Sequence, residues 1–251
     1  MEKKHKDMTK TVISQADFSR YARQYENLLR YKPSYHEVLQ QALGAITRRL
    51  APDGEHRIGD FGAGTGSLTR MLAGAFPKST IQAVDFNASF VCMLEQEAKE
   101  FRNIQVIQGD VEKKSFPDNH FDAIAMIHVL RLTDNAHKGL AIQSAYDQLK
   151  QGGYLVIADI GRKLNQKRHG WEILQTARRE IGFLGTAYLF LRTLNAIRFN
   201  VKCSRLERTR PENMLHTLDE FCKKIESVGF TILEARDDLY LGDDDFVVAK
   251  K

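Results

Sequence analysis

Three glycines spaced one residue apart, Gly62, Gly64 and Gly66, stand in "IGDFGAGTGSLT" (58–69), where a short apolar run gives way to a helical pattern. Lacking Cβ atoms, such a turn lets a ligand come close to the backbone, and amides at the start of the next helix point toward it. Three acids accompany the turn. Asp60 precedes the glycines, Asp85 ends a second apolar run twenty-three residues beyond Gly62, and Asp110 ends a third in "IQGDVE". A carboxylate at Asp85 can accept two hydrogen bonds from a ribose diol. Asp110 can accept from the exocyclic amine of adenine, with the amide of Val111 beside it. Asp60 either organises the turn or, through water, meets an ammonium group. Together these residues suit an adenosine-bearing ligand.

Other chemistries fit less well. The dinucleotide fingerprint G-x-G-x-x-G fails because position 67 is Ser, and no lysine follows Gly66 as a phosphate-binding loop requires. No Ser/His/Asp set or metal-ligand spacing stands out, so no metal is expected. Cys92, Cys203 and Cys222 are isolated and odd in number, which suits a reducing compartment without a disulfide framework. The start "MEKKHKDMTK" is charged and has no apolar leader, and no apolar stretch reaches eighteen residues. A cytoplasmic location is expected.

The elements that must position these residues alternate along the chain. Residues 1–50 read as an N-terminal helical cap, with Phe18, Tyr21, Tyr25, Leu28 and Leu29 at helical spacing. Residues 51–160 alternate short apolar runs with amphipathic stretches, and 225–251 add two strands with a turn at Gly242 between them. This predicts an α/β core: a mostly parallel sheet between two helical layers, its last two strands antiparallel to one another. Residues 161–224 form an insertion read as a helical lid over the carboxyl edge of the sheet, where ligands of open α/β sheets bind. Its apolar run from Ile181 to Leu191 predicts a buried helix. Residues 161–210 hold twelve Lys or Arg against three Glu, a local +9 on a chain of net charge +5. That predicts an anionic substrate or surface.

The glycine motif, "AVDFN", "QGDVE", "FDAIAMIHVLRL" and "LKQGGYLVIADI" together resemble the class I, seven-strand S-adenosylmethionine-dependent methyltransferases over residues 55–160 and the final strand pair. The resemblance implies a Rossmann-like three-layer sandwich with strand order 3-2-1-4-5-7-6 and strand seven antiparallel. It implies S-adenosylmethionine as cofactor and S-adenosylhomocysteine as product. Gly62, Ala63, Gly64 and Gly66 would line the methionine and ribose, Asp85 the ribose hydroxyls, Phe86 the adenine face, and Asp110 with Val111 the adenine edge. His128 falls where the family places a polar residue near the sulfonium, and is the catalytic candidate. Tyr21 and Tyr25 resemble the helix that closes over the methionine end, Tyr25 on the cofactor and Tyr21 on the acceptor.

"HVLRLTDN" stands where an N/D-P-P-Y/F motif would mark amino acceptors such as DNA bases, which favours a small-molecule acceptor and excludes DNA. Arg131, Trp171, Arg178 and Tyr188 are the further acceptor-binding candidates. The basic, apolar insertion implies a hydrophobic or aromatic acceptor with an anionic group, or contact with a membrane surface, or a homodimer interface. RNA methylation through the basic insertion, S-adenosylmethionine binding without catalysis, and a nucleotide-dependent oxidoreductase are the competing readings.

Overall fold

The computed structural model describes residues 24–131, 133–209 and 215–251; Tyr21 and the rest of the first twenty-three residues lie outside them. Seven strands form one sheet: β1 (Arg57–Phe61), β2 (Thr80–Asp85), β3 (Ile104–Gln108), β4 (Phe121–Ile127), β5 (Leu149–Asp159), β6 (Thr231–Leu239) and β7 (Asp244–Lys250). Their order is β3-β2-β1-β4-β5-β7-β6. The first five run parallel, and β7 runs antiparallel to both β5 and β6. The expected order and strand direction are both present.

Strand alternation divides the core into two layers. Ala123 and Ala125 of β4 face one side, with Val156 of β5 and Phe246 of β7. They meet Val38, Leu39, Ala42 and Ile46 of helix α1 (Pro33–Thr47) and Leu68 and Leu72 of α2 (Ser67–Ala75). Ile124, Met126, Leu155 and Val247 face the other side and meet Ile142 and Ala145 of α4 (Asn135–Gln148) and Phe221 and Ile225 of α7 (Leu218–Val228). Covered on both faces, β4 needs no polar alternation and reads as a continuous apolar run. Helix α3 (Ala88–Glu97) covers β2 and β3.

Short polar side chains start these helices where the strands end. Asn87 accepts from the Ser89 and Phe90 amides, and Asp134 from those of Ala136 and His137. Thr217 and Glu220 form a reciprocal capping box at α7. The core therefore resumes at Leu218, earlier than residue 225, which lies inside that helix.

The insertion carries α5 (Gln166–Arg192) and α6 (Leu194–Thr209). Helix α5 breaks at Gly182, whose φ of 69° and ψ of −176° suit glycine alone. The insertion is stitched to the N-terminal segment. The Glu172 carboxylate accepts from the Ser34 amide and hydroxyl at 2.6 and 2.8 Å, and Gln24 accepts from the first amides of α6. Leu28 and Phe90 pack with Ala196, Phe199 and Cys203, while Tyr31 packs with Ala177 and Leu189. The predicted buried helix over 181–191 is corrected here. Only the edge carrying Thr186, Leu189 and Thr193 turns inward, and Phe183, Leu184, Tyr188 and Leu191 are exposed.

Candidate active site

The glycine turn follows β1 at the carboxyl edge. Gly62, Gly64 and Gly66 have φ of 77°, 56° and 82°, a left-handed backbone that L side chains rarely adopt. At Gly62 a Cβ would lie 2.2 Å from Val129 Cγ2, so close packing also demands glycine; at Gly64 nothing lies within 4 Å. Asp85 latches the turn from the neighbouring strand. Its Oδ2 accepts from the Gly64 amide and its Oδ1 from the Asn87 amide, both at 2.9 Å. Burial raises the Asp85 carboxyl, and the two amides pull it partly back. Each oxygen keeps a further acceptor position. Asp60 lies buried beneath the turn, where Thr69 donates to it at 2.6 Å. Burial pushes its carboxyl up to about 6.

Around this cradle, Ala63 donates its amide to the Val84 carbonyl and Phe86 is half exposed next to Asp85. Asp110 accepts from the Glu112 amide at 3.1 Å, and Val111 packs against the adjoining core.

His128 follows β4, one residue before the Val129 that packs on Gly62. Its φ is 57°, an uncommon value for a bulky residue and of the kind that clusters at functional sites. The amide is held by the Ala158 carbonyl at 2.8 Å. The ring is fixed by Asp244 at the head of β7, with Nε2 2.9 Å from Oδ2 and both side chains buried. A carboxylate there selects the tautomer protonated at Nε2. Nδ1 is buried and has no hydrogen-bond partner among the described residues. Tyr240 and Tyr35 pack their rings on the imidazole at 4.6 and 6.0 Å.

A second polar group lies beside it, against helix α5 of the insertion. Lys32 sits 4.0 Å over the Tyr240 ring and 2.5 Å from His169 Nδ1, while His169 Nε2 meets Asp243 at 2.8 Å. Burial lowers the Lys32 ammonium to about 7, and burial with the Lys32 charge lowers His169 to about 4. Arg131 is near enough for its charge to act on Lys32, His169 and Tyr240, and Tyr25 acts on the Tyr35 and Tyr240 phenols. Both phenols are raised, chiefly by burial.

The structure thus gathers Gly62, Ala63, Gly64, Gly66, Asp60, Asp85 and Phe86 around one turn, with His128 adjoining it. It leaves Trp171, Arg178 and Tyr188 exposed on α5. Lys32, Tyr35, His169, Tyr240, Asp243 and Asp244 were not read from the sequence. The one signal for them is "LGDDDF" (241–246), three successive aspartates entering an apolar strand, at least one of which must point inward. Among the described residues no group of three or more His, Cys, Asp or Glu is placed to hold a metal ion.

Known proteins resemble this chain in sequence and in fold. Residues 58–153 match a family profile described as a methyltransferase domain. The ubiquinone/menaquinone biosynthesis C-methyltransferase UbiE of Pseudomonas savastanoi is 32% identical over 115 residues, 44% of each chain. The chain thus aligns with under half the length of that relative. The malonyl-[acyl-carrier protein] O-methyltransferase of Halalkalibacterium halodurans is 27% identical over 85% of this chain and 80% of its own. Residues 58–153 thus carry a methyltransferase domain, and the strand order is that of the class I S-adenosylmethionine-dependent methyltransferase fold. Solved structures share the methyltransferase fold at low identity. The N-methyltransferase NodS of Bradyrhizobium japonicum, in complex with S-adenosylhomocysteine, has a TM-score of 0.59 at 15% identity, covering 93% of this chain and 98% of its own. The magnesium protoporphyrin IX methyltransferase of Synechocystis, also with that product bound, has a TM-score of 0.59 at 14% identity, covering 87% and 83%.

The residues present fit the family's cofactor. Open space faces Gly64, and each Asp85 oxygen has acceptor capacity left beside its backbone amide. The names of these similar proteins cover carbon, oxygen and nitrogen methyltransferases, so the likeness does not fix the acceptor atom.

Proposed function

We propose that this protein transfers a methyl group from S-adenosylmethionine to a small-molecule acceptor with a hydrophobic or aromatic body, in the cytoplasm, and that the accepting group loses its proton to His128. The observation that carries the reading is the junction of the His128–Asp244 pair with the glycine turn through Val129 and Gly62. When bound, the cofactor supplies an electrophilic methyl group on a sulfonium. Gly62, Ala63, Gly64 and Gly66 line its methionine and ribose, and Asp85 accepts from the ribose hydroxyls. Phe86 covers the adenine face, Asp110 and Val111 read its edge, and Tyr25 closes on the methionine end. Asp60 acts indirectly, by bracing the turn through Thr69.

Holding the acceptor in line with the methyl group supplies much of the acceleration. His128 Nδ1 takes the acceptor proton, and Asp244 stabilises the imidazolium that results. Arg131 and Lys32 lie where an anionic group on the acceptor would be met. Trp171, Arg178 and Tyr188, being exposed, serve the outer face of the lid in this reading. The names of the two curated relatives support a biosynthetic small-molecule or carrier-bound acceptor. RNA methylation is less well supported, because the basic insertion also exposes several large apolar side chains.

The test is methyl transfer from labelled cofactor to a panel of amphiphilic phenols and carboxylates. His128→Ala and Asp244→Asn should each lower kcat about a hundredfold or more, within the range of general-base catalysis. Cofactor affinity should be unchanged in both variants. Unchanged kcat in both variants would remove His128 from the chemistry.

A further inference from the structure

The outer surface of the lid exposes apolar side chains at helical spacing. Beyond the break at Gly182, Leu184, Tyr188 and Leu191 recur at steps of four and three and share one face of α5. Leu184 is 82% exposed and Leu191 68%, and Phe183 beside the break is 71% exposed. Leu194 and Val201 continue the exposed apolar surface on α6. The opposite edge of α5 is already used, since Thr186, Leu189 and Thr193 are buried. So much large apolar surface in one short segment is unusual for a protein facing only water.

The charges around it narrow the occupant. Arg178, Arg179, Arg192, Arg198 and Lys202 are exposed along the same two helices, against the single exposed acid Glu180 between 173 and 203. A two-fold pairing of this surface with itself would set like charges against like. An anionic counter-surface meets the arginines and accepts the leucines together. No described helix is long and apolar enough to cross a membrane. An amphipathic, basic, helical surface of this kind lies in the plane of a bilayer interface with its apolar face inserted.

We propose that the segment around residues 178–202 docks this protein onto the surface of an anionic phospholipid bilayer, Phe183, Leu184 and Leu191 entering the acyl boundary while the arginines contact headgroup phosphates. This docking does not depend on the methyl-transfer chemistry.

Co-sedimentation of the full chain with phosphatidylcholine vesicles, with and without phosphatidylglycerol, tests it. Binding should be stronger to the anionic vesicles and should fall with salt, since basic residues near an anionic surface act electrostatically. The double variant Leu184→Asp/Leu191→Asp should partition about tenfold less or weaker, because exposed apolar area drives insertion. Its Tm and cofactor affinity should stay at the parent values, which separates lost docking from lost fold. Arg178→Glu/Arg179→Glu should erase the preference for anionic lipid. Failure of the parent to bind either vesicle overturns the proposal. So does a dimer in light scattering that the leucine variant dissociates while vesicle binding is unaffected.

Discussion

At the scale of single residues, Asp85 and His128 show two ways a position can be chemically committed. Asp85 has both oxygens engaged by backbone amides, so its first task is to hold the glycine turn closed. The same grip leaves each oxygen a further acceptor position, so the latch and the proposed ribose contact need not compete. Its place after the second apolar run was legible in the sequence, because the turn and the acid belong to successive strand ends. His128 was legible as a candidate, but its partner was not. Asp244 lies 116 positions away and reaches His128 only because β7 enters the sheet beside β5 in the opposite direction. Lys32 and His169, 137 positions apart, were hidden for the same reason: chain topology, not local pattern, brings them together. A base whose orienting carboxylate is removed is expected to lose kcat and keep cofactor affinity, the split tested above for Asp244→Asn.

At the scale of elements, the glycine turn combines two constraints that mutation can separate. Gly62 needs both its left-handed φ and the space beside Val129, whereas Gly64 needs only the φ within the folded chain. Gly64→Ala should therefore cost about 1–2 kcal/mol of stability, the left-handed penalty alone. It should weaken cofactor binding disproportionately, because its methyl group would stand in the space facing the turn. Gly62→Ala should lower Tm further, since Val129 must also move. Calorimetric melting of the two variants beside their cofactor affinities checks this ordering; equal Tm losses would refute it. The strands were legible because the apolar period switches cleanly between strand and helix, whereas the capping residues Asn87, Asp134 and Thr217 were not read. The insertion was less legible. Apolar content over 181–191 predicts a helix correctly but cannot say which side of it faces the core, and the break at Gly182 turns most of that surface outward.

Across the whole molecule, buried ionisable groups tie the insertion to the sheet. The two ends of the insertion meet where the His216 amide donates to the Gly161 carbonyl at 2.9 Å. Beneath them Lys138 pairs with Asp159 at 2.5 Å, Arg162 with Asp245 at 3.1 Å, and the His216 ring lies 3.5 Å from Asp245. Burial, with the nearby Lys138 charge, holds His216 down to about 3, and burial pushes Asp245 up to about 7. The histidine and the acid act oppositely on stability. For His216 the folded value lies below the unfolded 6.5, so its contribution is full above pH 6.5 and is lost as pH falls toward 3. His216→Gln should consequently show a smaller fall in Tm between pH 6.5 and pH 4 than the parent, measured by circular dichroism melts. An equal or steeper fall would mean that His216 is already charged in the folded protein.

The most direct test of the central claim is calorimetric titration of the full chain with S-adenosylmethionine, S-adenosylhomocysteine and NAD, alongside Asp85→Ala. The expected result is micromolar binding of both adenosyl compounds, no binding of NAD, and affinity about tenfold or more weaker in the folded variant, as removal of charge-assisted hydrogen bonds requires. Binding of NAD without either adenosyl compound, or full affinity in Asp85→Ala, would contradict the assignment of the glycine turn and its acid to the cofactor.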